Sequence, residues 1–242
     1  MRIPKIKYRE NNDTRHEIHT IDIPKDTLKE VHYYPDIDFE DEKSVERYTK
    51  ICKSLIRKSR SYKDMMANLK YNMDMNSCFF FPNIKRERGS KISIEMHHTG
   101  LVMEDIIKAV LYKRYEEGES LNACDVAKEV MLQHYKGNIS LTALSTTAHD
   151  LIHEVNSTLF IPLGMEDFGN ITLFFEEYKP YIKKHMNELY KKFETYKMVS
   201  DTVENISDII PEFMDLNIIY YNCEGVELPK MDAILDIINS DD

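Results

Sequence analysis

Residues 91–111 read KISIEMHHTGLVMEDIIKAVL, and their hydrophobic period changes halfway along. The first part alternates, with apolar side chains at Ile92, Ile94 and Met96, as in a half-buried β-strand. After Gly100 the apolar residues recur every three or four positions, as along one face of a helix. The stretch therefore predicts a strand that ends in two histidines and is followed by an amphipathic helix.

The segment before this strand predicts a β-hairpin. An aromatic run at 78–81 stops at Pro82, and a polar turn containing Gly89 leads to the alternating residues 92–98. Two extended runs separated by such a turn are typical of paired antiparallel strands. We therefore expect residues 78–81 to pair with residues 92–98.

Helical periods recur along the rest of the chain. Within 102–136 we expect two helices, of which the second begins at Asn122 as its N-cap and ends at Gly137. Helices are also expected at 41–72 and 172–199, and Thr146 or Thr147 is expected to cap a further one. Glycine is scarce, with 7 residues, which fits a helix-rich α+β fold better than a many-stranded barrel.

The composition is that of a globular chain. Of its 242 residues, 42% are hydrophobic and 31% charged, which is enough apolar material to form a core. The four cysteines are scattered without a C-x-x-C pair, which argues against a disulfide framework and a zinc ribbon. Neither a signal peptide nor an apolar run of membrane-spanning length is recognisable, so we expect a cytoplasmic protein without membrane contact.

The charge is divided unevenly. Residues 201–242 hold eleven acidic residues and one lysine, a net charge of −10 that equals that of the whole chain. Residues 50–90 have a net charge of +7, so the acidic pI near 5.4 does not exclude nucleic-acid binding. The acidic segment could be a solvated helical subdomain, a site for a protein partner, or a competitor of DNA for the basic surface. The basic run at 57–63 is most simply a charged solvent face.

Four histidines could share one site: His97 and His98 at the strand end, and His149 and His153 one helical turn apart. Imidazoles bind divalent transition metals and act as bases near neutral pH. Three of them with open coordination positions would suit a catalytic metal. Solvated or internally hydrogen-bonded histidines are the alternative for each pair taken alone.

The order of these elements resembles the HNH, or ββα-metal (His-Me finger), endonuclease family, and bacteriophage HNH proteins in particular. The residues that carry the resemblance are ISIEMHH at 92–98 and NISLTALSTTAHDLIH at 138–153, within a ββα core that the helices of 102–136 interrupt. The resemblance implies a metal-dependent endonuclease that hydrolyses DNA phosphodiester bonds.

The resemblance also implies roles for individual residues. His98 would be the general base, oriented by Asn138, and His97, His149 and His153 would hold a divalent metal, with Mg²⁺ ahead of Mn²⁺, Ni²⁺ or Zn²⁺. That ion would stabilise the transition state. Phosphate contacts are expected from the basic loop residues Lys85, Arg86 and Arg88.

Two departures from the family stand in the sequence. Ser140 occupies the place where the family's Asn is expected, and the cysteine pairs that brace many such proteins are absent. A non-catalytic nucleic-acid-binding or virion-associated module is therefore the alternative function. The predicted division is an N-terminal region at 1–76, the HNH-like domain at 77–165 and a C-terminal helical region at 166–242.

Overall fold

The computed structural model describes residues 8–9, 15–16, 37–86, 92–153 and 159–209. Within these ranges the fold is helix-rich α+β, as the sequence predicts, with seven α-helices and two small sheets. The elements are β1 (Tyr8–Arg9), β2 (Arg15–His16), α1 (Glu42–Lys58), α2 (Arg60–Tyr71), β3 (Ile94–His98), α3 (Met103–Glu116), α4 (Ala123–Tyr135), β4 (Leu141–Ser145), α5 (Thr146–Ile152), α6 (Ile171–His185), α7 (Asn187–Ser200) and a short 3₁₀ helix (Ile206–Ile209).

The chain divides into two compact units. The helical unit comprises the described residues of Met1–Met75, Met96–Thr142 and Ile161–Glu204. The small unit comprises those of Asn76–Glu95, Ala143–Phe160 and Asn205–Asp242.

The core of the helical unit is built from the apolar stripes of its helices. Helix α1 packs against α3 and α4, and α6 packs against α3 and α7. The buried face of α1 carries Val45, Tyr48, Cys52 and Ile56 at helical spacing. Removing such side chains from water contributes about 1.5–3 kcal/mol each, which makes this packing the main source of the unit's stability.

A partly buried ion network joins three of these helices. Glu129 of α4 accepts hydrogen bonds from Arg114 of α3 at 2.6 Å and from the Tyr178 hydroxyl of α6 at 2.8 Å, and Lys113 lies 3.2 Å away. Burial alone would raise the pKa of Glu129, but the hydrogen bonds from Arg114 and Tyr178 and the charge of Lys113 outweigh it and hold that pKa below its usual range. The carboxylate is therefore ionised inside the bundle.

The ends of α4 follow its sequence signals. Asn122 is the N-cap, and its side chain accepts a hydrogen bond from the Cys124 amide at 2.8 Å. The chain leaves the helix through Gly137, at a φ of 74° that favours glycine. Helices α3 and α4 thus occupy the predicted region 102–136. None of the described helices is both long and apolar enough to cross a bilayer.

A second glycine permits a close backbone approach. Leu141 and Phe168 form an antiparallel bridge, and the Asn170 amide donates to the Gly137 carbonyl at 2.8 Å. Between these contacts, Gly169 has a φ of 81°, and a Cβ placed there would lie 2.1 Å from the Ile139 carbonyl oxygen. Only glycine fits this position without moving the backbone.

The predicted hairpin between residues 78–81 and 92–98 does not form. Instead the chain reverses at once after Phe81, and the Cys78 amide donates to the Ile84 carbonyl at 2.8 Å. Phe81 and Ile84 are buried, so the tight turn at Pro82 closes over its own apolar side chains. Strand β3 is hydrogen-bonded to β4, and a specific HNH core is not confirmed.

Candidate metal site and a buried histidine pair

Helix α5 places the H-x-x-x-H pair at its C-terminal end. Ser145, rather than the predicted Thr146 or Thr147, caps the helix by accepting a hydrogen bond from the Ala148 amide at 3.3 Å. His149 lies in the last turn and His153 is the C-cap, and their ring centroids are 4.8 Å apart. The two imidazoles are therefore neighbours, as the spacing predicts.

A carboxylate lies beside this pair. Glu95 of β3 has an oxygen 3.8 Å from Nδ1 of His149, and both side chains are partly exposed. The distance exceeds a hydrogen bond but is short enough for electrostatic attraction to a polarised ring. A carboxylate in this position typically orients a metal-binding imidazole so that its other nitrogen faces the ion.

His97 is the third predicted metal ligand. It lies two residues after Glu95 in strand β3 and belongs to the helical unit, whereas His149 and His153 belong to the small unit. Of the four histidines that the sequence singled out, the structure therefore places His149 and His153 side by side within one unit. A role of His97 as a metal ligand stays a prediction.

The imidazoles of His149 and His153 fit a divalent transition metal. Two nitrogen ligands, each about 2.0–2.1 Å from a tetrahedral zinc ion, lie about 3.4 Å apart, and neighbouring rings can reach this separation by side-chain rotation. Imidazole nitrogens suit zinc, copper and nickel, whereas magnesium prefers oxygen ligands. His153 is exposed and His149 is partly so, which leaves access for an ion from solvent.

His98 has a different environment. Strand β3 ends at His98, and both histidines lie within it. Neighbouring side chains in a strand face opposite sides. The Nε2 atom of His98 lies 3.1 Å from Nε2 of His134, a residue that the sequence offered no reason to pair with it.

The hydrogen bonds of this pair determine which ring nitrogens carry a proton. Nδ1 of His134 lies 2.8 Å from the Val130 carbonyl, which can only accept, so this nitrogen carries the hydrogen. With both rings neutral, Nε2 of His98 donates to Nε2 of His134. Burial lowers the pKa of His134 to about 4. The pKa of His98 lies well below its usual range. Burial is the main cause, and positive charge on His134 or His97 would lower the pKa further.

The remaining predicted site residues have other contacts or lie outside the described ranges. The Asn138 amide donates to the Gln133 side chain at 2.7 Å, just after the end of α4. Lys85 and Arg86 are exposed at the end of the turn that begins at Asn76. Arg88 lies outside the residues that the structure describes.

A separate groove of about 790 Å³ lies within the helical unit. Its walls combine aromatic and charged side chains, including Tyr112 and Phe193 with Asp105 and Lys108. Burial raises the pKa of Asp105. None of the candidate site residues lines this groove.

Comparison with known proteins identifies the class of molecule. A family model for bacteriophage G278-like virion proteins matches residues 1–221, which is most of the chain. The chain therefore belongs to the bacteriophage G278-like virion protein family. Neither the curated proteins nor the solved structures contain a match.

Membership of this family corrects the expectation drawn from the HNH resemblance. The expected HNH family was wrong, because the matching family is one of virion proteins and not of nucleases. The phage association is confirmed, and the alternative of a virion-associated module agrees with the match better than the endonuclease does. The catalytic roles of His98 and Asn138 depended on the endonuclease interpretation and are not carried forward.

Proposed function

We propose that this protein is a component of the phage particle in which His149 and His153 bind a divalent transition metal. The observation that supports the proposal is the close approach of their imidazole rings, whose centroids are 4.8 Å apart, beside a carboxylate oxygen of Glu95, in a member of a virion protein family. Zinc or nickel suits these ligands better than the magnesium expected for a nuclease.

The proposed role of the ion is stabilisation. The unfolded chain has no preformed pair of imidazoles, so an ion bound by the folded protein adds its binding free energy to folding. The neighbouring Glu95 carboxylate would fix the orientation of His149. A particle component that must persist outside the cell gains from such stabilisation.

Membership of the particle is tested by proteomics of purified virions. Particles banded on a density gradient should contain the 28.6 kDa chain in a constant ratio to the major capsid protein through successive purification steps. Recovery of the chain from infected-cell lysate but not from banded particles would contradict the proposal.

Metal binding is tested by calorimetric titration of the full-length protein with Zn²⁺ and Ni²⁺. Wild type should bind one equivalent, and His149→Ala combined with His153→Ala should abolish the binding. His185→Ala is the matched control, because His185 interacts with Glu116 and lies outside the cluster. Binding that survives in the double variant, or no binding by wild type, would rule out this site.

A further inference from the structure

The groove of the helical unit lies between helices α3 and α7. Both helices pack against α6, and the groove opens between them. Helix α3 forms one wall with Val102, Asp105, Lys108 and Tyr112, whose spacings of three and four place them on one helix face. Along these residues the groove extends about 15 Å.

Helix α7 forms the opposite wall. Leu189, Lys192 and Tyr196 line the groove from this helix, again three and four residues apart. The buried side chains of Val45 and Phe193 also line it and provide an apolar base. A cleft of about 790 Å³ that combines an apolar base with a few polar groups is typical of a binding site for a small ligand.

The walls of the groove carry charges of both signs. Asp105 interacts electrostatically with Lys108 on its own helix and with Lys192 on the opposite wall. Burial raises the pKa of Asp105, whereas a backbone hydrogen bond at Val102 and the charges of the two lysines act in the opposite direction. Three further acidic residues line the groove: Glu40, Glu42 and Glu188.

This mixture of charges disfavours several classes of ligand. A phosphate compound would approach carboxylates of its own sign, and a polyamine would approach ammonium groups of its own sign. A hydrocarbon would remove Asp105 and Lys108 from water without offering them hydrogen bonds, which costs free energy. A hydroxyl group, in contrast, can donate to a carboxylate and accept from an ammonium group at the same time.

We propose that this groove binds a neutral oligosaccharide. Hydroxyl groups of the sugar would accept hydrogen bonds from Lys108 and Lys192 and donate to Asp105. Because the ligand has no net charge, neither the carboxylates nor the lysines of the walls repel it.

Aromatic side chains towards both ends of the groove suit the same ligand, because the C–H faces of sugar rings are apolar and pack against aromatic rings. Tyr112 stacks on His185 next to the start of α7, with ring centroids 4.5 Å apart. Tyr196 lies towards the end of α7. Both tyrosines line the groove and are partly exposed, so a short oligosaccharide could reach either ring.

The test is calorimetric titration of the full-length protein with trisaccharides of different charge. Maltotriose, cellotriose and triacetylchitotriose are the neutral probes. Trigalacturonic acid is the anionic probe, the deacetylated chitotriose is the cationic probe, and trialanine represents a zwitterionic peptide. Wild type should bind at least one neutral trisaccharide, and more tightly than it binds any charged probe or trialanine.

The first test variant combines Asp105→Asn and Lys108→Gln, which leaves the net charge unchanged. Its matched control combines Asp125→Asn and Lys128→Gln, an ion pair with the same residue types and spacing on α4. Asp125 and Lys128 are partly exposed, like the test pair, and are not among the described residues that line the groove. The test variant should lose about tenfold or more in affinity, since hydrogen bonds to charged groups are lost, and the control should stay within twofold of wild type.

A second variant tests the opposite wall without changing a partly buried residue. Lys192→Gln alters an exposed side chain, and Lys191→Gln is its control, because Lys191 is exposed, pairs with Glu188 and is not among the described residues that line the groove. Only Lys192→Gln should weaken binding of the neutral trisaccharide. Circular dichroism checks that all four variants remain folded.

The inference is overturned if wild type binds none of the neutral trisaccharides, or if a charged probe or trialanine binds more tightly than all of them. It is also overturned if both groove variants bind the trisaccharide as wild type does, or if the controls lose as much affinity as the groove variants.

Discussion

At position 169 the backbone passes so close to Ile139 that a single methyl group has no room. Gly169→Ala would place Cβ 2.1 Å from a carbonyl oxygen and impose a left-handed φ on a residue that avoids it. We expect a loss of unfolding free energy of about 3 kcal/mol or more, since strain and overpacking add.

Gly118→Ala is the matched control for this substitution. Gly118 has a φ of 65°, but a Cβ added there would meet no atom within 4 Å. Its cost should be about 1 kcal/mol, from the backbone conformation alone. Urea unfolding of both variants measures the difference, and equal losses would show that the close approach to Ile139 contributes nothing.

The His98–His134 pair, in which His134 is buried and His98 is partly buried, predicts a pH dependence. Because burial lowers the pKa of His134 to about 4, the unfolded chain takes up a proton near pH 6.5 while the folded chain does not. Stability is therefore full above pH 6.5 and declines as the pH falls towards 4. A shift of this size corresponds to roughly 3 kcal/mol.

Unfolding in urea with EDTA present, at pH 7, 6 and 5, measures this decline. His134→Gln should reduce the steepness of the decline, because it removes one titrating group. His185→Gln, which alters a histidine paired with Glu116 at the protein surface, should leave the steepness at the wild-type value. If His134→Gln loses stability with falling pH as steeply as wild type, the pH dependence does not arise from His134.

Among the elements, the polar network around Glu129 has the clearest energetic consequence. Glu129→Gln would leave the partly buried Arg114 and Lys113 with only their more exposed partners, Glu119 and Glu117. Removing one partner of such a pair costs roughly 3–5 kcal/mol, and partial exposure here favours the lower end. Glu188→Gln, on the exposed surface of α7, should leave the unfolding midpoint unchanged.

Thermal unfolding followed by circular dichroism measures both variants. A Glu129→Gln protein with the wild-type midpoint would mean that the network adds no net stability, because desolvation of its charges offsets their attraction.

The secondary-structure elements also show which features of the fold can be predicted from neighbouring residues in the sequence. Helices α3 and α4, with Asn122 and Gly137 at the ends of α4, were predicted because periodicity and caps act within a few residues. The strand partner of β3 was not predicted. The nearer stretch at 78–81 turns back on itself, and two helices separate β4 from β3 in the chain.

One part of the candidate site was likewise predictable from the sequence, and another part was not. The neighbourhood of His149 and His153 follows from a helical spacing, and the sequence predicted it. The pairing of His98 with His134 arises from tertiary packing between β3 and α4, for which no sequence signal exists. Motif order alone also suggested a nuclease, because short histidine spacings recur in chains with unrelated functions.

At the scale of the whole molecule, a member of a virion protein family carries a proposed metal site formed by His149 and His153. The family assignment covers residues 1–221 and extends well beyond the histidine motifs.

The most direct test of the central proposal is thermal unfolding of metal-free protein with and without Zn²⁺. If the ion is present at about 100 times its dissociation constant, binding adds about 2.7 kcal/mol, and the midpoint of a chain of this size should rise by roughly 5–10 °C. We expect this rise in wild type and in His185→Ala, but not when His149→Ala and His153→Ala are combined. An unchanged wild-type midpoint, or an equal rise in the double variant, would contradict the proposed metal site.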